Sequence, residues 1–309
     1  MPSVLIAVPS FRRPKSLERL LTAIAHLNTR ANVTVLVADN DADRREAVAA
    51  CDAVRARGYR WPISSIVVAE RGIANVRNAL IAEALRQPPC DFIAMLDDDE
   101  EPDANWLDEL LRVQAQTGAD ALNGSTKRVF ETDPGAWATH CDGVSDIFAP
   151  TGSIDIIEGT GNLLARRALF AGMTAPWFDP AFAMTGGEDK DFFVRAKKAG
   201  ARFAWANDAI AYDYVPPSRA NLRWALSRAY SAGNSDMRVF LKYRPNLGAR
   251  LKEIARIVAA LLLNPVLFVI LAFNPNRRVR PLRKLYRAFG KLAAMGGRTY
   301  EEYSVIHGQ

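Results

Sequence analysis

The chain has 309 residues, of which 49% are hydrophobic and 24% are charged, and its formal net charge is +6. This composition predicts one large domain, or one domain with an appendage, and it excludes a largely disordered chain. The three cysteines are odd in number and far apart, which excludes a disulfide framework and a cysteine-ligated metal site of ordinary spacing. Any metal is therefore expected to be bound through oxygen atoms.

The first hundred residues alternate short apolar runs with helical patterns. Continuous apolar strands that alternate with helices indicate a parallel sheet covered on both faces. Strands are predicted at 4–8, 33–38, 63–69 and 92–96, and helices at 15–27, 43–57 and 73–86.

Clusters of polar residues follow the predicted strands, at 9–12, 39–41 and 97–99. The last cluster is Asp97-Asp98-Asp99, which a folded protein tolerates as a solvated acidic turn or beside a cation. Because ligands of open parallel sheets bind at the carboxyl ends of the strands, the convergence of these clusters favours a site over a solvated turn.

No glycine-rich dinucleotide-binding or phosphate-binding loop follows the first predicted strand. After residue 100, the patterns predict further elements. We expect a helix at 106–116, a strand at 121–129, an irregular loop at 131–155, a helix that follows Gly186-Gly187 and ends near 198, and a helix at 218–232.

The motifs, taken in order, resemble those of a known family. They stand at 8–14 (Val-Pro-Ser-Phe-Arg-Arg-Pro), 37–40 (Val-Ala-Asp-Asn), 72–78 (Gly-Ile-Ala-Asn-Val-Arg-Asn), 96–99 (Leu-Asp-Asp-Asp), 159–162 (Gly-Thr-Gly-Asn), 186–189 (Gly-Gly-Glu-Asp) and 215–219 (Val-Pro-Pro-Ser-Arg), followed by Trp224, Arg228 and Gly233. Over residues 3–235 the chain resembles family 2 glycosyltransferases with the GT-A fold, particularly those of bacterial succinoglycan and exopolysaccharide biosynthesis. The resemblance implies an α/β protein with a mixed, mostly parallel sheet flanked by helices.

The resemblance also implies a nucleotide-sugar site. Asp39 would bind the uracil ring, Arg77 and Asn78 would lie near the base and ribose, and Asp97 would face the ribose or the donor sugar. The full set of residues implied in nucleotide-sugar binding is Pro9, Ser10, Arg12, Asp39, Arg77, Asn78, Asp97 and Arg228.

Catalytic roles follow from the same resemblance. Asp99 would hold Mn²⁺ or Mg²⁺ against the diphosphate, and Asp98 would be a structural spacer. Asp189 would be the general base, with Glu188 orienting the acceptor or serving as the alternative base. These roles agree with the chemistry, because a divalent cation stabilises a leaving diphosphate and a carboxylate can take the proton of an acceptor hydroxyl.

Two departures from the family pattern affect the expected site. No histidine lies between His140 and His307, so Asp213 or solvent is expected at the metal position that a late histidine fills in several relatives. Ala220 stands where processive synthases have glutamine, three residues before Arg223-Trp224, which favours addition of a single sugar over polymerisation.

The C-terminal region, residues 236–309, is predicted to be a helical appendage to a catalytic domain at 1–235. Residues 254–273 are apolar and include Pro265, and residues 277–298 are basic. A transmembrane span is possible by length, but a proline-broken re-entrant hairpin or an in-plane helix fits the charge distribution better. A buried helical hairpin is the alternative.

Together these features predict an inverting, metal-dependent glycosyltransferase at the cytoplasmic face of the inner membrane, peripheral or monotopic. Its expected partners are a UDP-sugar donor, a lipid-linked saccharide or other glycan acceptor and an anionic membrane surface, with no nucleic acid. The alternatives are a sugar nucleotidyltransferase, disfavoured because the loop after the first strand lacks glycine, and a degenerate scaffold of a polysaccharide assembly complex.

Overall fold

The computed structural model describes residues 1–138, 141, 144–274 and 276–304. Within these ranges nine strands form one sheet. In chain order they are β1 (Ser3–Ser10), β2 (Asn32–Asp39), β3 (Ile63–Val67), β4 (Phe92–Met95), β5 (Glu100–Pro102), β6 (Ala121–Phe130), β7 (Gly152–Ile154), β8 (Leu163–Arg166) and β9 (Phe203–Val215).

Helices flank this sheet and form the C-terminal region. They are α1 (Pro14–Ala25), α2 (Glu46–Ala56), α3 (Ile73–Arg86), α4 (Trp106–Thr117), α5 (Arg167–Ala171), α6 (Glu188–Lys198), α7 (Leu222–Lys242), α8 (Leu247–Ile270) and α9 (Val279–Met295), with short 3₁₀ turns at Pro180–Phe182 and Glu302–Ser304.

The sheet runs in the order β3-β2-β1-β4-β8-β6-β9-β5, with β7 paired to β9. Strands β1 to β4 are mutually parallel, and β8 runs antiparallel between β4 and β6. The longest ladders, β1 with β2 and β6 with β9, are parallel. The predicted mixed, mostly parallel sheet is therefore confirmed.

Both faces of the sheet are covered, as continuous apolar strands require. Because side chains alternate along a strand, Val4, Ile6 and Val8 of β1 join the core packed against α1 and α4. Leu5 and Ala7 join the opposite core, which includes buried residues of α3 and α6. The carboxyl ends of β1, β2 and β4 consequently open at one edge of a rigid sheet.

Two helices begin later than their sequence patterns predict. The helix expected at 43–57 begins at Glu46, because the left-handed backbone of Arg45, with φ of +51°, interrupts the helix before it. The helix expected at 218–232 begins at Leu222, because the side chain of Asn221 caps it by accepting the N–H of Trp224 at 2.9 Å. This helix also continues to Lys242.

Part of the sheet was not predicted. The strand β9 had no sequence prediction, and β7 lies within the region expected to be irregular at 131–155. His140 and His307, the histidines at the two ends of the histidine-free stretch, lie outside the described residues.

The C-terminal helices pack closely against the rest of the chain. Residue 235, the predicted end of the catalytic domain, lies inside α7. The next residue, Asp236, forms ion pairs with Lys190 of α6 at 2.6 Å and with Arg287 of α9 at 2.5 Å. The two regions are thus joined by a continuous helix and by ion pairs.

Helices α7 and α9 cross at a pair of glycines. A Cβ atom at Gly233 would lie 2.0 Å from the carbonyl oxygen of Arg287, and a Cβ at Gly290 would lie 2.0 Å from that of Tyr230. This backbone-to-backbone approach is possible only without side chains, and it explains why glycine is needed at both positions.

Helix α8 is continuous through Pro265, so the alternative of a proline-broken hairpin is wrong, whereas the in-plane helix stays a prediction. Its inward face carries Glu253, Ile257 and Asn264, and Glu253 pairs with Lys291 of α9 at 2.5 Å. Among the described residues it is the one helix long and apolar enough to cross a membrane, yet only 17% of its most apolar window is buried. The alternative of a buried hairpin is therefore also wrong.

We predict that Gly233→Ala lowers the free energy of unfolding by about 1–3 kcal/mol, because the methyl group forces α7 and α9 apart. Denaturant unfolding followed by circular dichroism measures the effect. The control is Gly248→Ala in the exposed first turn of α8, where nothing closer than 3.6 Å would meet the new Cβ. An unfolding midpoint for Gly233→Ala equal to that of the control would contradict the close crossing.

Candidate active site

An open cavity of about 500 Å³ lies at the edge of the sheet where β1, β2 and β4 end. The N-terminus of α6, the end of β9 and the start of α7 form its other walls. Its lining includes eight carboxylates (Asp97, Asp98, Asp99, Glu100, Glu158, Asp189, Asp213 and Glu302) and six arginines (Arg13, Arg71, Arg77, Arg128, Arg219 and Arg228). An anionic ligand that binds here must therefore exchange partners with existing ion pairs.

The middle residue of the acidic run has a structural role. Asp98 accepts hydrogen bonds from the hydroxyl of Ser10 at 2.9 Å, from the backbone N–H of Phe11 at 3.3 Å and from Arg13 at 2.9 Å. Burial raises the pKa of Asp98 to about 6, against the opposing charge of Arg13. These bonds connect the loop after β1 to the end of β4, which agrees with the predicted role of Asp98 as a structural spacer.

The third aspartate of the run, Asp99, is held by two arginines. Arg13 at 2.8 Å and Arg219 at 2.9 Å both donate to its Oδ2, so Oδ1 takes part in neither bond. Burial alone would raise the pKa of Asp99, but the two guanidinium groups hold it below its usual range. Asp99 is consequently an ionised carboxylate facing the cavity.

Asp213 lies on the strand next to the acidic run, and it also lines the cavity. Strand β5 pairs Glu100 with Asp213 of β9, and the N–H of Tyr214 donates to the carbonyl of Asp99 at 3.0 Å. One oxygen of Asp213 contacts Arg128, and the other, Oδ1, is buried without a hydrogen-bond partner. Two carboxylates thus line the cavity from adjacent segments, Asp99 from the turn before β5 and Asp213 from β9.

These two carboxylates fit a divalent cation of the kind that a nucleotide diphosphate brings with it. No three histidine, cysteine or acidic side chains in the described part of the chain converge into a complete metal cage. Mg²⁺ with a phosphate ligand needs only one or two protein carboxylates, because phosphate oxygens and water complete its coordination. The unpartnered oxygen of Asp213 is the structural feature that favours such a ligand.

Two acidic residues begin α6, and the structure separates them. The preceding Gly186 and Gly187 have φ of +73° and +100°, a left-handed backbone that turns the chain into the helix. Asp189 lines the cavity, and burial raises its pKa against the opposing charge of Arg77. Of the two candidates for a base, Asp189 is the one with access to a ligand.

Glu188, by contrast, is 1% exposed and is not among the residues that line the cavity. It accepts a hydrogen bond from Arg77, which also donates to Asp97 at 3.2 Å. Burial and the charge of Asp189 raise the pKa of Glu188 to about 8, against the opposing charge of Arg77. Its position is that of a residue that orients Arg77.

The structure brings some of the predicted nucleotide-binding residues together and leaves others outside. The predicted residues that line the cavity are Pro9, Ser10, Arg77, Asp97 and Arg228. The predicted residues absent from its lining are Arg12, Asp39 and Asn78.

Each of those three side chains has another partner. Asp39 accepts the N–H groups of Ala47 at 2.8 Å and Val48 at 3.2 Å, and so stabilises the start of α2. Arg12 forms an ion pair with Asp41 at 2.5 Å. Asn78 exchanges hydrogen bonds with the backbone of Phe178.

Sequence reasoning assigned no role to several cavity residues. Phe11 lies between two guanidinium groups, 5.0 Å from that of Arg12 and 4.9 Å from that of Arg71. Tyr303 reaches the cavity from the far end of the chain. Phe11 stands within the motif at 8–14, but Tyr303 stands in no motif, and its contact with Arg71 joins distant parts of the sequence.

Comparison with known proteins agrees with this geometry. The family model described as Glycosyl transferase family 2 matches residues 5–170. The chain is 31% identical over 237 residues to the Succinoglycan biosynthesis protein ExoM of Rhizobium meliloti (strain 1021), covering 76% of this chain and 74% of that protein.

Solved structures of glycosyltransferases share the fold. The mannosyltransferase PcManGT from Pyrobaculum calidifontis, in complex with GDP-Man and Mn²⁺, superposes with a TM-score of 0.64 at 16% identity and covers 96% of this chain and 88% of that one. S. aureus TarS 1-349, in complex with UDP, superposes with a TM-score of 0.54 at 15% identity and covers 97% and 93%. The chain belongs to glycosyl transferase family 2 and is a glycosyltransferase with the GT-A fold.

Proposed function

We propose that the chain is an inverting, metal-dependent glycosyltransferase that transfers a sugar from a UDP-sugar to a lipid-linked saccharide or other glycan in surface polysaccharide biosynthesis. One observation carries the proposal: Asp189 on α6 and the Asp99–Asp213 pair on the sheet line the same cavity. Transfer from a nucleotide sugar needs a base at the acceptor and charge stabilisation at the leaving diphosphate.

Asp189 acts as the general base on the acceptor hydroxyl. Its raised pKa makes it a stronger proton acceptor than an ordinary aspartate once it is ionised. The hydroxyl attacks the anomeric carbon while the bond to the diphosphate breaks, and its proton passes to the carboxylate. Direct displacement of this kind inverts the anomeric configuration and needs one base.

Asp99 and Asp213 hold the divalent cation, Mn²⁺ or Mg²⁺, and Arg13, Arg128 and Arg219 surround them. The cation supplies Lewis-acid stabilisation of the leaving diphosphate. As the diphosphate binds, the arginines that now pair with the carboxylates donate to phosphate oxygens. The existing ion pairs keep these side chains in place before the ligand arrives.

The nucleotide lies against the loop after β1 and the start of α3. Phe11 offers an aromatic face, and Arg71 and Arg77 lie on the adjacent wall. UDP is bound in the TarS structure and GDP-Man in that of PcManGT. We propose a UDP-sugar here, in line with the UDP bound in the TarS structure.

Helix α8 attaches the enzyme to the cytoplasmic face of the inner membrane. Its exposed apolar residues cover most of its circumference, while Glu253 on the inward face is paired with Lys291 of α9. Exposed basic residues follow, including Arg277, Arg278 and Lys284. Apolar insertion combined with attraction to anionic headgroups is the pattern of an interfacial helix.

The first prediction from the proposed function concerns the general base, Asp189. Asp189→Asn should lower kcat by about 10²–10⁴-fold and leave the Kd for UDP within about threefold of the wild type. Wild-type kcat/KM should rise with pH through a pKa above the ordinary aspartate range, because the base must be ionised, and this limb should be absent from the variant.

A UDP-release assay across about pH 4 to 9 and UDP calorimetry measure these effects. The control is Asp43→Asn, an exposed aspartate that is not part of the cavity lining. Substantial residual transfer by Asp189→Asn would contradict the assignment of Asp189 as the base and would favour Glu158, another carboxylate of the cavity lining.

The second prediction concerns the metal. Wild-type protein should bind UDP at least about tenfold more tightly with Mn²⁺ than with a chelator, and Asp99→Asn should lose this difference. Calorimetry of UDP binding with and without metal checks the result, and Asp103→Asn, outside the cavity, is the control. Metal dependence of UDP binding that is unchanged in Asp99→Asn would contradict the assignment of the metal to this site.

The third prediction concerns the membrane. Full-length protein should float with vesicles that contain about 30% anionic lipid, and less with purely zwitterionic vesicles. The triple variant Leu262→Gln, Val266→Gln, Ile270→Gln should bind at least about tenfold more weakly, because its apolar contacts with the bilayer are lost. Phe148→Gln, an exposed apolar residue outside α8, is the control. Equal flotation of triple variant and wild type would exclude attachment through α8.

A further inference from the structure

The chain returns from the end of α9 to the active-site cavity through residues 296–304, here named the return segment. The N–H of Arg298 donates to the carbonyl of Ala293 at 2.9 Å, and the side chain of Asn234 donates to the carbonyl of Arg298 at 2.8 Å. The ring of Tyr300 then packs against Tyr230 of α7, with 5.5 Å between centroids. These contacts direct the segment along α7 toward the cavity.

Tyr303 is anchored at the cavity through its backbone. Its N–H donates to the carbonyl of Met184 at 3.1 Å, and its carbonyl accepts a hydrogen bond from Arg71 at 2.8 Å. Both main-chain groups are therefore satisfied by neighbours outside the return segment. The position of the residue does not depend on its side chain, which lines the cavity.

The ring of Tyr303 packs on the loop that leads to the proposed base. Its Cε2 atom would lie 3.6 Å from a Cβ at Gly186, so the ring covers the backbone of this glycine. Gly186 stands three residues before Asp189. The ring consequently lies beside the loop that leads to Asp189, while the main chain of Tyr303 is bound by Arg71, whose guanidinium lies over Phe11 of the loop after β1.

The neighbouring Glu302 secures the segment to α7. Its carboxylate forms an ion pair with Arg228 at 3.3 Å, and both residues line the cavity. Arg228 is thus already paired with a carboxylate of the chain itself. This pairing leaves less of its charge for a donor diphosphate and places a second polar group beside Tyr303.

We propose that Tyr303 and Glu302 form the acceptor subsite, in which the Tyr303 ring stacks on the acceptor sugar whose hydroxyl reaches Asp189. This inference rests on the proposed function and names the part of the cavity that binds the acceptor. Aromatic rings with a few polar groups are the usual lining of small-ligand pockets, and the apolar C–H face of a sugar ring matches the Tyr303 ring. Glu302 accepts hydrogen bonds from neighbouring sugar hydroxyls.

The protonation state of Tyr303 suits this role. Its hydroxyl is protonated at neutral pH, as in an ordinary tyrosine, and burial raises its pKa further, so it can donate a hydrogen bond to the acceptor. A ring in this position also restricts the approach of water to Asp189. Loss of the ring should weaken acceptor binding and at the same time admit water as a competing nucleophile.

The test separates acceptor use from donor use in the full-length enzyme. UDP-glucose, UDP-galactose, UDP-N-acetylglucosamine and GDP-mannose are screened for turnover, with octyl β-glucoside and octyl β-galactoside as acceptor probes. Tyr303→Ala should lower the ratio of transfer to hydrolysis at least about tenfold, with a larger rise in acceptor KM than in donor KM. Tyr303→Phe, which keeps the ring, should change the ratio by about threefold or less.

Glu302→Gln tests the polar partner and should also raise acceptor KM more than donor KM. Its matched control is Glu301→Gln, the adjacent exposed glutamate, which is not part of the cavity lining. If the wild type transfers sugar to neither glycoside, the rate of donor hydrolysis tests the inference. Tyr303→Ala should then hydrolyse the donor at least about threefold faster than the wild type.

Two results would overturn the inference. One is a Tyr303→Ala variant with wild-type partitioning between transfer and hydrolysis. The other is a rise in donor KM that matches or exceeds the rise in acceptor KM, which would assign Tyr303 to the donor. Failure of the wild type to turn over any nucleotide sugar would instead contradict the proposed function, and the acceptor subsite with it.

Discussion

The two sides of the active site depend on one buried guanidinium group. Arg77 on α3 donates to Glu188 at the start of α6 and to Asp97 at the end of β4. It is 3% exposed, and a charge at that depth is tolerated only when it is paired. The sheet edge that carries the acidic run and the helix that carries Asp189 are therefore held in one geometry by a single side chain.

The same principle of internal pairing extends across the cavity. Asp99 has two arginine partners, Asp213 has Arg128, and Arg228 has Glu302. Such a site is close to neutral before a ligand binds, and its charged groups are preorganised rather than solvated. On the proposed mechanism, binding of a diphosphate replaces one set of ion pairs by another, which limits the reorganisation that accompanies catalysis.

Local patterns in the sequence predicted much of the sheet and the acidic run. The strands before residue 97 were predictable because they are mostly apolar runs between helical patterns, and α3 has the predicted limits, 73–86. By contrast, β9 mixes buried and partly buried residues irregularly over thirteen positions, and it pairs with β7 on one part and β5 on another.

In the candidate site, too, short motifs reveal some residues, while other contacts are seen only in the folded chain. Asp97, Asp99 and Asp189 stand in short motifs and line the cavity as expected. Asp39 stands in an equally clear motif, but its carboxylate binds the N-terminus of α2, a contact that spacing along the chain does not reveal. Tyr303 is separated by 232 residues from the arginine that binds its carbonyl, so only the folded chain shows the contact.

The short strand β5 has a consequence for how this enzyme can change. Because β5 pairs with β9, main-chain hydrogen bonds set the spacing between Asp99 and Asp213. The acceptor subsite that we propose, in contrast, is built from the return segment at 296–304 and from loops. On this proposal, mutations in the return segment alter the choice of acceptor while the backbone ladder preserves the arrangement of Asp99 and Asp213, so that new specificities can evolve without rebuilding the chemistry.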